Sequence, residues 1–311
     1  MSTSTMSLTR AATGRWSRLA DYWELTKPRI ALLVLVVVAA TAFIVRDGWP
    51  AWNLVANVLL GTALVSASGS ALNQWLERKT DALMDRTAPR PLPGGRLREA
   101  EVLRFATATL VAGLGVLWLA VNGETALLGL LTWTLYVWVY TPLKTRTCLN
   151  TAVGAVAGAM PILIGWAAVR LPGESWLNVR MLSLFTLVFL WQFPHFMAIA
   201  WLYRKQYDLA DLKMLTVTDP SGLRAAGQSL AAALAMIPVS LAMAVPSGSI
   251  RMFLAAALAS TAYVLVSVNF AFRRDDRSAR ILLFTSLGVL LILMMSAVAF
   301  SAPKILSGSY L

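Results

Sequence analysis

The sequence is short of the residues on which many soluble enzymes depend. Only 14% of its 311 residues are charged and 58% are hydrophobic, whereas soluble domains carry roughly a quarter charged residues. One cysteine, Cys148, excludes an intramolecular disulfide framework and any multi-cysteine metal site. One histidine, His195, leaves no second imidazole for a bis-histidine heme clamp. We therefore expect neither a soluble domain nor an electron-transfer cytochrome.

Acidic residues are scarce as well, with 15 Asp and Glu against 27 Lys and Arg and a net charge of +12. The basic residues are scattered among loops and do not line one helix or form a run, so no nucleic-acid partner is indicated. Residues 1–25 include arginines but have no apolar core and no small-residue cleavage site. They predict a cytoplasmic N-terminal tail and not a secretory signal.

The hydrophobic residues form long apolar runs separated by short loops. Because about 20 apolar residues cross a bilayer, these runs predict an all-α, polytopic protein in the lipid bilayer. No long polar stretch indicates a second unit, so residues 1–311 are expected to form a single domain. The nine predicted transmembrane helices lie at approximately residues 30–45, 52–76, 101–121, 125–141, 149–169, 180–202, 225–244, 251–272 and 280–301.

Most Lys and Arg residues collect on alternate connections between these spans, as the positive-inside rule requires. This bias places the N-terminal tail and the two longest loops, residues 76–100 and 203–224, in the cytoplasm. The odd number of spans then places the C-terminus outside, and we expect the cell's inner membrane as the location. The opposite side holds Arg46, Arg170, Arg180, Arg251 and Lys304.

Polar residues recur every fourth position at the cytoplasmic end of the second span. Residues four apart lie on one face of a helix, and this spacing joins Asn73, Glu77, Asp81 and Asp85. Hard oxygen ligands suit Mg²⁺, which takes one or two carboxylates and fills its other positions with water and substrate phosphates. The ladder therefore predicts a catalytic magnesium site. The alternative is a solvated helix end whose mixed charges satisfy each other.

Basic residues follow this ladder and recur in the next cytoplasmic loop. Arginine and lysine bind phosphate oxygens, arginine often in a bidentate geometry, so the ladder and the cations together predict a diphosphate site. For the loop of Lys144 and Arg146, a purely topogenic role is the alternative. The candidate diphosphate-binding residues are Lys79, Arg86, Arg90, Lys144 and Arg146.

Two polar residues, Gln192 and His195, interrupt the apolar sixth span three positions apart. A polar residue at such depth is a functional-site hypothesis, and the spacing predicts that both side chains point together into an apolar pocket. The alternative for His195 is a hydrogen-bonded structural role. The candidate acceptor-binding residues are Trp191, Gln192, His195, Phe196 and, from the preceding cytoplasmic loop, Asn150.

These segments resemble the UbiA superfamily of intramembrane prenyltransferases, and within it the branch that farnesylates heme. The resemblance covers most of the first 220 residues and depends on five stretches. They are Thr26-Lys-Pro-Arg29, residues 73–92, Tyr140-Thr-Pro-Leu-Lys144 with Asn150, residues 158–166, and Trp191-Gln192-Phe-Pro194-His195-Phe196. The resemblance adds Arg29 to the diphosphate-binding candidates.

The resemblance implies nine helices around a central cavity, with two acidic motifs that bind a magnesium diphosphate at the cytoplasmic mouth. It implies farnesyl diphosphate and heme B as substrates, heme O as product, and possible contact with a heme A synthase. At the first motif Glu77 stands where aspartate is usual. At the second motif Gln206 replaces the expected aspartate, which leaves Tyr203, Tyr207, Asp208 and Asp211 as its candidates.

Two other functions remain open from the sequence. One is a prenyltransferase for a quinone precursor or another aromatic acceptor. The other is a transporter, for which intramembrane polar residues are also expected. Against the transporter, the acidic residues concentrate at one mouth and do not form a path through the bilayer.

Overall fold

In the computed structural model, residues 15–46 and 50–301 are described. They form α-helices with short connections and no strand within these ranges. The predicted tail lies partly outside them, as do Lys304 and the C-terminus. The helices are α1 Arg15–Leu25, α2 Pro28–Val45, α3 Trp52–Asp81, α4 Glu99–Ala120, α5 Gly123–Thr134, α6 Thr141–Leu143, α7 Asn150–Val169, α8 Val179–Leu202, α9 Arg204–Leu209, α10 Leu215–Thr218, α11 Leu223–Ala244, α12 Ile250–Arg273 and α13 Asp276–Ser301.

Nine of the helical segments in the described ranges are long and apolar enough to cross a membrane, which confirms the predicted number. A π-helical turn, Leu135–Tyr140, joins α5 to α6, so that Gly123–Leu143 forms one span. The largest difference lies at the second span, which was predicted to end at residue 76. There α3 continues to Asp81.

Contacts between connections show that successive spans run in opposite directions. At one end, Lys27 bonds Asn73, Lys144 pairs with Glu77, and Arg204 pairs with Asp276. At the other end, Arg46 donates to Val169 O and Arg170 pairs with Glu124. The basic loops therefore lie at one end of the bundle, as the alternation of charge predicted. We call this the basic end.

The outer surface of the spans is apolar. Leu119 is 85% exposed, Phe272 81% and Leu258 71%. Such contiguous apolar exposure is rare on soluble monomers, and in a bilayer these side chains face a solvent as apolar as themselves. The protein is therefore a multi-pass membrane protein, whose largest buried side chains, Trp166, Tyr263 and Phe270, lie between the helices.

Helices α3 and α4 approach each other closely at two glycines, Gly61 and Gly113. A Cβ on Gly113 would lie 2.9 Å from Gly61 O and 2.9 Å from the Val65 backbone nitrogen. Small residues let helix backbones approach closely in membranes, where van der Waals packing holds helices together. This contact holds α3 against α4.

We predict that Gly113→Ala lowers stability by about 1–3 kcal/mol, because the added methyl meets backbone atoms that cannot yield. Gly115→Ala on the same helix is the matched control, since a Cβ there meets nothing within 4 Å. Thermal unfolding of the detergent-solubilised variants checks this. Equal melting temperatures for the two variants would contradict the close approach.

Candidate active site

A cavity of about 150 Å³ opens at the basic end of the bundle. One part of its wall is charged and comes from the start of α2, the end of α3 and the loops that follow α3 and α6. Another part is aromatic and aliphatic and includes Phe196 and Ile199 of α8. The charged residues on the wall are Lys27, Glu77, Asp81, Arg86, Arg90 and Lys144.

Each acidic residue of the wall has a basic partner. Lys144 Nζ lies 2.8 Å from Glu77 Oε1, and Arg90 Nη1 lies 2.6 Å from Asp81 Oδ2. The Asp81 side chain is 2% exposed and that of Glu77 13%. Because a buried carboxylate without a partner is costly, these two cations stabilise the folded mouth of the cavity.

Lys27 supplies a further positive charge, and its backbone conformation is uncommon. Its φ is +52°, a left-handed value that few residues other than glycine adopt. The turn between α1 and α2 directs the side chain inward, where Nζ donates to Asn73 Oδ1 at 2.5 Å. Asn73 in turn donates to Thr141 Oγ1 at 2.9 Å. Lys27 thus lies between Asn73 and the cavity.

The surroundings shift the pKa values of both lysines. Burial, together with the neighbouring Arg90 guanidinium and against the opposing effect of Glu77, lowers the pKa of Lys27 to about 7. Burial also acts to lower the pKa of Lys144, but the adjacent Glu77 carboxylate outweighs it, and the pKa is raised above its ordinary value. Lys144 therefore stays a cation at neutral pH, whereas Lys27 titrates there.

The second long loop at the basic end completes the wall. The backbone nitrogen of Lys213 donates to Lys144 O at 2.7 Å, and Asn150 Nδ2 donates to Lys213 O at 3.0 Å. These bonds bring Tyr207 to the cavity, where burial raises the pKa of its hydroxyl. Arg86 lies over the Tyr203 ring, 4.9 Å from its centroid. Both predicted loops thus contribute to one cavity.

The structure brings together part of the predicted ladder. Glu77 and Asp81 face the cavity, and Asn73 is fully buried behind Lys27. Asp85 does not join them. Because α3 ends at Asp81, the four-residue period stops there and the Asp85 side chain is exposed outside the cavity wall. In the described part of the chain no three His, Cys, Asp or Glu side chains gather as a metal site.

The predicted cations divide in the same way. Arg86, Arg90 and Lys144 line the cavity. The other three basic candidates, Arg29, Lys79 and Arg146, are exposed and lie outside the cavity wall. The two acids of the second motif, Asp208 and Asp211, are also exposed outside the wall, and Asp211 pairs with Lys213.

Gln192 and His195 point to different neighbours, so the prediction of a shared pocket was wrong. Gln192 Nε2 donates to Ala155 O of α7 at 2.9 Å. His195 Nδ1 lies 2.7 Å from Ser286 Oγ of α13, and its ring stacks on Trp191. The face of α8 that reaches the cavity carries Phe196, Ile199 and Ala200.

Among the wall residues that sequence reasoning missed, Lys27 and Tyr140 contact the polar part of the site. Lys27 was part of a quoted stretch but was not proposed as a site residue, because nothing in the sequence showed that its backbone turns inward. Tyr140 was likewise quoted only as part of a motif. Its ring lies 4.7 Å from Lys144 Nζ, at the end of the π-helical turn. Such turns occur frequently at functional sites, but they have no clear sequence signal.

Comparisons with known proteins agree with this architecture. A model of the UbiA prenyltransferase family matches residues 32–300. The chain is 42% identical to a protoheme IX farnesyltransferase of Solibacter usitatus, over 86% of this chain and 93% of the relative. It is 40% identical to a protoheme IX farnesyltransferase of Rhodopirellula baltica, over 86% of this chain and 95% of the relative.

Solved structures share the fold at low sequence identity. A structure described for digeranylgeranylglyceryl phosphate synthase superposes with a TM-score of 0.75 at 14% identity, covering 91% of this chain and 98% of the other. A UbiA homolog from Archaeoglobus fulgidus, bound to DMAPP and Mg²⁺, superposes with a TM-score of 0.67 at 18% identity, covering 90% and 99%.

The low pKa of Lys27 predicts a pH dependence of stability in the metal-free protein. Above about pH 7 the folded chain binds fewer protons at this site than the unfolded chain, whose lysine keeps its ordinary pKa of 10.5. The free energy of unfolding should therefore rise with pH between these values. Thermal unfolding with chelator from pH 7 to 9 should show a smaller rise in Lys27→Met than in the parent protein. An identical rise would contradict the shift.

Proposed function

The chain belongs to the UbiA prenyltransferase family, and on that premise we propose that it converts heme B to heme O. It transfers the farnesyl group of farnesyl diphosphate to a heme vinyl group with addition of water. The choice of acceptor and prenyl donor is carried by one observation, the 38–42% identity to relatives named protoheme IX farnesyltransferase over most of the chain. The geometry of the cavity supports the chemistry.

The cations of the wall are suited to hold a diphosphate. Lys144 and Arg90 pair with Glu77 and Asp81, and Lys27 adds positive charge on the same wall. The two carboxylates would hold a metal ion that accompanies the diphosphate, and the side chains of Lys144 and Arg90 would then be available for phosphate oxygens. Arg86 lies on the same wall. The proposed function therefore rests on an exchange of ion-pair partners.

The donor set fits a magnesium ion bound together with its substrate. Mg²⁺ usually takes one or two protein carboxylates and keeps water and substrate phosphates as its other ligands. Glu77 and Asp81 supply two carboxylates on the cavity wall, whereas the amide oxygen of Asn73 accepts a hydrogen bond from Lys27. A bound magnesium would neutralise charge on the departing diphosphate. The magnesium and DMAPP in the Archaeoglobus fulgidus homolog support this assignment.

The reaction needs little covalent chemistry from the protein. The allylic C–O bond breaks and its electron pair stays on the diphosphate, where Lys144, Arg90 and Lys27 stabilise the developing charge. The vinyl group of heme B forms the new C–C bond to the farnesyl carbon. Water adds to the resulting cation and loses a proton, which gives the hydroxyethylfarnesyl group. The protein positions the two substrates, stabilises the charge on the diphosphate and protects the allylic cation from water.

Aromatic and aliphatic side chains give the cavity an apolar lining that keeps water from the cation. Phe196, Ile199 and Met214 supply apolar surface to the cavity wall. Tyr140 and Tyr207 lie on the wall as well, and π-faces stabilise nearby cations. An apolar enclosure protects an allylic cation from premature capture by water. Gln192 and His195 lie deeper on α8 and hydrogen-bond to α7 and α13. Both are kept in this proposal as acceptor-binding residues.

The proposed function also assigns an orientation. Farnesyl diphosphate is a charged, cytoplasmic substrate, so the basic end that holds the cavity faces the cytoplasm. The positive-inside rule gives the same result. The protein would then lie in the inner membrane with its N-terminus in the cytoplasm and its C-terminus outside, where a heme A synthase could receive heme O from the bilayer.

We predict that Asp81→Asn lowers the turnover of heme B at least 100-fold, because the substitution removes a carboxylate from the proposed magnesium site. Purified protein with heme B, farnesyl diphosphate and Mg²⁺ would be assayed by mass spectrometry of the extracted hemes. A chelator should abolish the product in the parent protein. Heme O formation by Asp81→Asn at the parent rate would contradict the site.

Two further variants sharpen this experiment. Glu124→Gln is the control, because Glu124 also pairs with an arginine but lies at the opposite end of the bundle. Asp85→Asn should stay within about threefold of the parent, since its side chain lies outside the cavity.

An acceptor screen with quinone precursors completes the test. A prenylated quinone precursor and unchanged heme would contradict the proposed acceptor while leaving the prenyltransferase chemistry intact.

A further inference from the structure

Arg96 lies outside the cavity wall and connects α1 to the loop that follows α3 at the basic end. Its Nη1 is 2.6 Å from Asp21 Oδ1, and its Nη2 is 2.5 Å from Glu24 Oε2, both on α1. The same Nη2 donates to Pro89 O at 2.9 Å, next to Arg90. One guanidinium thus connects α1 to the segment that carries a cavity residue.

The α1 end of this connection is firmly placed. Gln74 Nε2 of α3 donates to Leu25 O at 2.9 Å, and Leu25 is fully buried. The Tyr22 ring packs against Phe105 of α4, with centroids 5.2 Å apart. Asp21 is itself 3% exposed. A buried carboxylate needs a partner, and Arg96 Nη1 supplies one to Asp21.

The other end of the connection is a compact loop that we call the Arg90 segment, residues 87–97. The backbone nitrogens of Arg96 and Leu97 both donate to Pro91 O, at 2.8 and 2.9 Å. Leu92 and Leu97 pack with Leu25 in one apolar cluster. At its start, Thr87 Oγ1 donates to Asp81 O at 2.8 Å. The segment is therefore held together by its own bonds, and Arg96 attaches it to α1.

We propose that Arg96 is a positioning residue for the prenyl transfer. By fastening the Arg90 segment to α1, it holds Arg90 at the distance from Asp81 at which the guanidinium can pass from the carboxylate to a diphosphate. The inference rests on the proposed function. Without the connection, Arg90 would sample positions away from the cavity, and binding of the diphosphate substrate would weaken while binding of the heme acceptor would not.

Arg96→Lys tests this proposal with little risk to folding, because it keeps the positive charge beside Asp21. A lysine ammonium cannot reproduce the planar fork that reaches two carboxylates and Pro89 O together. We expect the KM for farnesyl diphosphate to rise about tenfold and the KM for heme B to stay within twofold. Asp21→Asn, which removes the buried negative charge that pairs with Arg96, should likewise raise the KM for farnesyl diphosphate and leave the KM for heme B within twofold.

Arg170→Lys is the matched control. Arg170 also joins a carboxylate, Glu124, to a backbone carbonyl, that of Glu174, but it does so at the end of the bundle away from the cavity. Hydrogen–deuterium exchange of the full-length protein in detergent gives a readout that does not depend on activity. Peptides from the Arg90 segment should exchange faster in Arg96→Lys and be unchanged in Arg170→Lys.

Three results would overturn the inference. The first is parent-like kinetics and exchange in Arg96→Lys. The second is an equal rise of both KM values together with a fall in kcat and melting temperature, which would indicate general destabilisation. The third is a selective rise in the KM for farnesyl diphosphate, with faster exchange of the Arg90 segment, in the control variant Arg170→Lys. If the parent protein failed to prenylate heme, the proposed function would fall, and the exchange comparison would still decide whether Arg96 fixes the segment.

Discussion

The cavity wall depends on the pairing of acidic and basic side chains at one end of an apolar helix bundle. Carboxylates placed where helices pack are costly unless cations lie beside them, and Glu77 and Asp81 are held by Lys144 and Arg90. Those pairs draw the connections after α3 and α6 onto the end of α3. Hydrogen bonds from Lys213 and Asn150 then bring the second long loop to the same place. Pairing of charge thus assembles the cavity wall.

The same pairing explains how a site rich in buried charge can be stable and also suit an anionic substrate. Both cavity carboxylates, Glu77 and Asp81, have a cation within the wall. A metal diphosphate, as proposed, would offer the carboxylates a cation and the basic side chains an anion, so both sets of partners could exchange without leaving an unpaired charge. Lys27, whose pKa of about 7 reflects its crowded surroundings, would gain most from an arriving negative charge.

Much of the fold could be predicted from the sequence, because hydropathy and loop charge act over whole spans. The helical period also placed Glu77 and Asp81 correctly, since α3 remains helical through both. It failed at Asp85, where the helix has ended, and at Gln192 and His195, whose directions depend on which helices pack against α8. Lys27 was missed because a left-handed backbone at a non-glycine residue has no sequence signal. Tertiary packing decided each of these cases.

The exchange of ion-pair partners is the central claim, and a structure with bound substrate tests it most directly. The measurement is an electron cryomicroscopy structure of the protein with Mg²⁺ and a farnesyl diphosphate analogue that resists ionisation. Our account predicts that Lys144 and Arg90 leave Glu77 and Asp81 and contact phosphate oxygens, with both carboxylates facing the metal. Intact Lys144–Glu77 and Arg90–Asp81 pairs, with the diphosphate bound elsewhere, would contradict it.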